Sequence, residues 1–182
     1  LVDPAVARAT TAQAHRRFEA LLELDPEDPV TRRRYAGFLL EEDQVERGWA
    51  LVASLSNRLG FDVERGDVYL AVLSGKADVA LSRLAQMPEG KDTFDHHLLA
   101  SLAHHQQGDW KEAAASARAA ARCAFSTSWP VATMPRWASR QTGAGAAALE
   151  RLCVALTEAQ LTNQSERAAA ALDGFAASLE AL

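Results

Sequence analysis

The stretch Gly108-Asp109-Trp110-Lys111-Glu112-Ala113, continued by Ala117 and Ala120, decides the fold. Glycine takes up the left-handed conformation that closes a helix without steric cost. Five residues later Ala113 opens an i, i+4, i+7 series with Ala117 and Ala120, and those offsets put three side chains on one helical face. The segment reads as the end of one helix, a tight turn and the start of a second. A small residue at Ala113 lets the two backbones approach where a leucine would hold them apart.

The same pattern recurs along the chain. Ala14-Phe18-Leu21, Gly48-Val52-Leu55, Ala80-Leu84-Met87 and Ala168-Leu172-Phe175 repeat it, so that the five copies are separated by 34, 32, 33 and 55 residues. From the second copy onward a turn-former stands five residues ahead of the small residue: Asp43, Gly75, Gly108 and Asn163. Asp25-Pro26, Gly60 and Met87-Pro88 mark connectors between units. One such helix pair cannot bury its apolar face alone; stacked neighbours bury it mutually, each large core side chain contributing roughly 1.5–3 kcal/mol. The expected fold is all-α, a right-handed α-solenoid of stacked helix-turn-helix repeats. A half repeat over 1–28 is followed by units over 29–60, 61–93, 94–124 and 148–182, with an insertion over 125–147.

Composition agrees. A chain of 182 residues, 48% hydrophobic with 10 Gly and 6 Pro, fits one globular unit or one repeat stack and excludes wholesale disorder. Alanine is abundant and isoleucine absent, which favours helix over sheet. A formal charge of −5 argues against nucleic-acid binding, which needs a basic face. The lack of any run of eighteen apolar residues argues against membrane insertion. Leu1-Val2-Asp3-Pro4 does not read as a secretion signal, and the absent initiating Met leaves open a removed leader, a longer parent protein or a cut boundary. The compartment stays open: cytoplasm, or periplasm if a leader was removed. Cys123 and Cys153 lack metal-knuckle or redox spacing and read as core residues, joined only if their helices touch.

On these residues the chain resembles the tetratricopeptide repeat family, with degenerate units. Ala14-Phe18-Leu21-Pro26 looks like a second helix with its closing proline, Tyr35-Ala36-Leu39 with Gly48-Val52-Leu55 like a nearly complete unit, and Gly108 to Ala113 like the family's turn. Asp43 stands where the family usually has Gly, and the connector after Ala120 lacks the usual proline. The resemblance implies a superhelix whose first helices line a concave face open to a peptide or helix of a partner protein. The Lys and Asn set with which some members grip chaperone tails is missing.

Projected at 3.6 residues per turn, that face collects Arg33, Arg65, Tyr69, Leu102, His105 and Gln106. Arg33 and Arg65 are candidates to hold a carboxylate while Tyr69 and Leu102 take an apolar anchor; the alternative pairs both arginines with Glu41, Glu42 and Glu64. Trp129 and Trp137 lie in the insertion and either plug the groove or present a partner-binding anchor. His96, His97, His104 and His105 share one expected helix, but their spacings place no pair one turn apart for a metal ion, and no catalytic signature appears. The expected function is a non-catalytic interaction scaffold with no metal or other cofactor. The alternatives are an accessory or regulatory domain of a larger bacterial enzyme, such as a glycosyltransferase or sulfotransferase, and a self-association module. The last would form a homo-oligomer through the stripe Leu172, Phe175, Leu179 and Leu182 of the final helix.

Overall fold

Four of the expected turns are where the chain enters the left-handed region. Asp43, Gly75, Gly108 and Asn163 have φ of 61°, 67°, 78° and 52°. Each closes a helix with the same pair of backbone bonds. The Gly108 N–H donates to the His105 carbonyl at 3.1 Å and Asp109 N–H to His104 at 3.0 Å; around Asp43, the bonds run to Leu40 at 3.0 Å and from Gln44 to Leu39 at 2.7 Å. These bonds satisfy carbonyls that a helix end otherwise leaves bare. Asp and Asn occupy this conformation at a modest cost that their short polar side chains offset.

The computed structural model describes residues 4–53, 55, 65–87, 93–125 and 134–182. Among the described residues it is all-helical, with ten helices: α1 (Pro4–Leu24), α2 (Pro29–Glu41), α3 (Val45–Val52), α4 (Arg65–Leu73), α5 (Ala77–Gln86), α6 (Phe94–Gln107), α7 (Trp110–Arg122), α8 (Met134–Ala138), α9 (Ala146–Thr162) and α10 (Ser165–Glu180). Consecutive helices pair as the hairpins α2/α3, α4/α5, α6/α7 and α9/α10. Helix starts are built locally. Asp28 accepts from the Thr31 and Val30 N–H groups at 2.9 and 3.2 Å ahead of Pro29, and the Thr31 side chain, together with these backbone bonds, holds its carboxyl below the usual range. Thr93 caps α6 through His96 N–H at 3.3 Å.

The repeated triplets form the core. Val52, Leu55, Ala80, Ala113, Ala117, Ala120, Ala168 and Leu172 are sealed from solvent, and Leu84, Met87 and Phe175 nearly so. They join α4, α6 and α9 residues in one continuous apolar cluster. Only the first copy differs: Ala14 and Phe18 are half-buried and Leu21 is exposed.

Up to α7 the order is that of a stack, with α3 against α4 and α5 against α6, each second helix meeting the next first helix. The last unit breaks this order. α10, not α9, is the helix that lies along α7, and α9 packs mainly between α10 and α8. His105, at the end of α6, touches both Trp110 and Phe175, while Arg118 farther along α7 pairs with Glu180 farther along α10. The two second helices therefore run in the same direction.

Close approach is tightest at Gly48, where an added Cβ would lie 3.1 Å from the Ala36 carbonyl oxygen and 3.3 Å from Leu70 Cδ2. A methyl there asks the Ala36 backbone to give by a few tenths of an ångström, and a larger side chain asks for more. Gly48→Leu is expected to cost about 3 kcal/mol in urea unfolding, whereas Gly48→Ala falls near zero because its helix propensity gain offsets the crowding.

Candidate functional site

The face expected to be an open trough is largely filled. Tyr69 and Leu102 are 2% and 0% exposed and belong to the core, as do Leu40, Val72, Leu73, Leu98 and Cys153 from the same face. Neither Tyr69 nor Leu102 is accessible to a partner in this arrangement. Within the expected insertion, α8 contributes Met134, Trp137 and Ala138, all buried, to the same cluster. Trp137 is thus part of the core, on a helix that packs mainly against α9. Trp129 lies outside the described residues.

Arg33 and Arg65 do not converge. Arg33 in α2 makes a two-point contact with Asp67 of α4, Nη2 to Oδ2 at 2.9 Å and Nε to Oδ1 at 3.3 Å. A partner of Arg33 is thus an acid 34 residues on whose side chain is 2% exposed; Glu64 lies outside the described residues. Arg83 of α5, only 3% exposed, belongs to the same cluster. Its guanidinium stands 4.7 Å over the Trp49 ring and donates to the Ala53 carbonyl at 2.8 Å. Burial pulls its pKa down and Asp67 opposes that pull. Arg65, at the start of α4, borders a separate cavity of about 580 Å³ with Thr93, Phe94, Asp95, Arg122 and Cys123.

His105 and Gln106 serve packing. Gln106 Nε2 donates to the Val72 carbonyl at 2.7 Å and ties α6 to α4. His105 is buried against Trp110 of α7, Phe175 of α10 and the Gly143-to-Gly145 turn that leads out of α8. A Cβ at Gly145 would lie 2.8 Å from its Nε2, so the turn needs glycine both for that space and for its φ of 78°. Burial lowers the His105 pKa, and the Gly145 backbone offsets only part of the effect. Cys153 is buried in α9, its thiol pushed up to about 12, and is not joined to Cys123. Among the described residues no group of three His, Cys, Asp or Glu side chains could hold a metal ion, and no helix is long and apolar enough to cross a membrane.

A cavity of about 380 Å³ opens beside Trp137. Leu40, Val45, Leu73 and Trp137 supply its apolar lining, and Asp43, Glu46, Arg47 and Arg140 its charged rim. Asp43, the residue of the left-handed turn, is clasped by Arg140 and lies 3.9 Å from Arg136 Nη1. Arg47 reaches back to Gln44 and the Tyr35 hydroxyl. The cavity brings together Trp137 and two residues of the projected face, Leu40 and Leu73. Asp43 and Val45 escape a helical projection because they belong to the turn itself. Compared with protein-family models, curated proteins and solved structures, the chain matches none.

Two expectations follow for the buried polar groups. Asp67→Ala leaves Arg83 and part of Arg33 without their carboxylate and should cost about 3–5 kcal/mol in urea unfolding, much of it recovered when Arg83→Met is added. For His105 the folded pKa is depressed, so its contribution is fully present above the unfolded value near 6.5 and declines as pH falls below it. Thermal unfolding between pH 7.5 and 5.5 should show a larger loss for the wild type than for His105→Leu, a difference on the order of 1 kcal/mol.

Proposed function

We propose that this chain is a non-catalytic protein-binding module, a degenerate tetratricopeptide-like array that captures a partner peptide through one apolar anchor. The observation that supports this reading is the cavity beside Trp137. About 380 Å³ is room for one or two side chains, and its lining and rim are segregated, apolar inside and charged outside. Such an arrangement suits anchor-and-register recognition: a buried apolar side chain carries the affinity and rim charges of both signs select the flanking residues. The repeat architecture favours it further. Four hairpins share the same left-handed closure, and turns on a rigid scaffold are where binding residues collect.

The filled face alters what the resemblance implies. A peptide need not lie along the whole length of the first helices, because most of their apolar residues are already buried. Recognition then concentrates at the α2/α3 turn, with Trp137 as a wall. A display library of random twelve-residue peptides, selected on the intact chain, tests this. Selected peptides should contain an aromatic or large aliphatic residue, and their fluorescence anisotropy should show binding weakened about tenfold or more by Val45→Trp, which fills the cavity. Arg47→Glu should change which charged flanking residues are preferred. Peptides bound equally well by Val45→Trp would overturn the assignment.

A further inference from the structure

The cavity at Arg65 has no part in the peptide site. It holds about 580 Å³ and is walled by the starts of α4 and α6 and by the end of α7. α4 brings Arg65, α6 brings Phe94 and Asp95, and α7 brings Ala119, Arg122 and the following Cys123. Its arginines set it apart. Arg33 is held by Asp67 at 2.9 Å, whereas neither Arg65 nor Arg122 makes a hydrogen bond or an ion pair among the described residues. Arg122 is exposed and solvated, but Arg65 is half-buried and its Nε–H is sealed from solvent without an acceptor in the chain. A buried donor left in that state costs about 1–3 kcal/mol, which an acceptor brought from outside recovers.

The sign and the number of charges narrow the ligand. Helix ends do not decide them: α6 begins and α7 ends at this cavity, so partial charges of opposite sign meet there. Side chains decide them. Two arginines stand against one acid, Asp95, itself 4% exposed, and leave the wall with one net positive charge. A single negative charge balances that wall, while a dianion would add repulsion from Asp95. Phe94 and Ala119 supply an apolar surface for an uncharged body. The volume falls within the range of about 300–1,000 Å³ usual for small-molecule pockets.

We propose that this cavity binds a small organic monocarboxylate, its carboxylate held by Arg65 and Arg122 and its apolar body laid against Phe94 and Ala119. A guanidinium presents a planar fork that matches a carboxylate, and charge-assisted bonds of this kind are about twice as strong as neutral ones. The companion of Arg65 is then Arg122 rather than Arg33, which is committed to Asp67.

Calorimetric titration of the full chain with phenylacetate and with octanoate measures the affinity, and Cys123 reports the place. Its half-buried thiol borders the cavity and donates to the Ala119 carbonyl at 3.3 Å, while Cys153 is sealed inside α9. Either acid is expected to bind saturably with a Kd of about 1 mM or tighter and to slow alkylation of Cys123 by iodoacetamide, read by mass spectrometry against the ligand-free rate. Phenylacetamide, which lacks the charge, should do neither, and inorganic phosphate should bind more weakly than phenylacetate. Arg65→Met and Arg122→Gln should each weaken phenylacetate about tenfold or more, with circular dichroism checking the fold. Val45→Trp should leave the affinity unchanged, which separates this cavity from the one at Trp137. The proposal is overturned by no saturable binding of either acid up to about 10 mM, by binding that leaves Cys123 unprotected, by equal binding of phenylacetamide or tighter binding of phosphate, or by affinity that survives both arginine variants.

Discussion

Everything in this molecule depends on how closely the two backbones of a hairpin can approach. Alanine or glycine at the crossing point brings the second helix down onto the first, and only then do the next two apolar residues of the triplet reach the core. At Gly48 the approach is so near that even one methyl meets a carbonyl oxygen at 3.1 Å. The left-handed residue five positions earlier sets the angle at which the helix returns.

Both parts of this device are periodic and rest on residue types with few substitutes, which is why hairpins and turns were legible in the sequence. Asp43 and Asn163 show that the constraint is the left-handed conformation rather than glycine itself. Other features depended on contacts between elements far apart in the chain. Asp67 sits within an apolar helix and gives no local sign that it meets Arg33 across 34 residues. A helical wheel assigned Tyr69, Leu102 and His105 to an open face because it knows nothing of what another segment lays over that face. The wheel found the direction of those side chains, not their exposure.

The same limit explains the last hairpin. A 55-residue interval between triplets signalled extra chain, and two tryptophans signalled that the extra chain was apolar. Neither revealed that α8 would join the core and that α9 would pack on α8. With α9 engaged there, α10 takes the place along α7. Its triplet, Ala168, Leu172 and Phe175, is satisfied all the same, because a small residue followed by two apolar ones fits any helix it crosses closely. The repeat pattern therefore specifies contact quality more strictly than it specifies the neighbour.

That distinction bears on where recognition can occur in such an array. Where the chain supplies a neighbour, a face becomes core: Trp137 of α8 is buried beside Leu40 and Leu73 and leaves a cavity at the margin. Where the chain supplies none, the face remains competent, and its residual charge limits what can settle there. Asp67 shows how strict this is. Its carboxylate offsets the burial of Arg83 and fixes Arg33 at once, so an arginine in that register is tolerable inside a hairpin only when the opposing helix brings an acid.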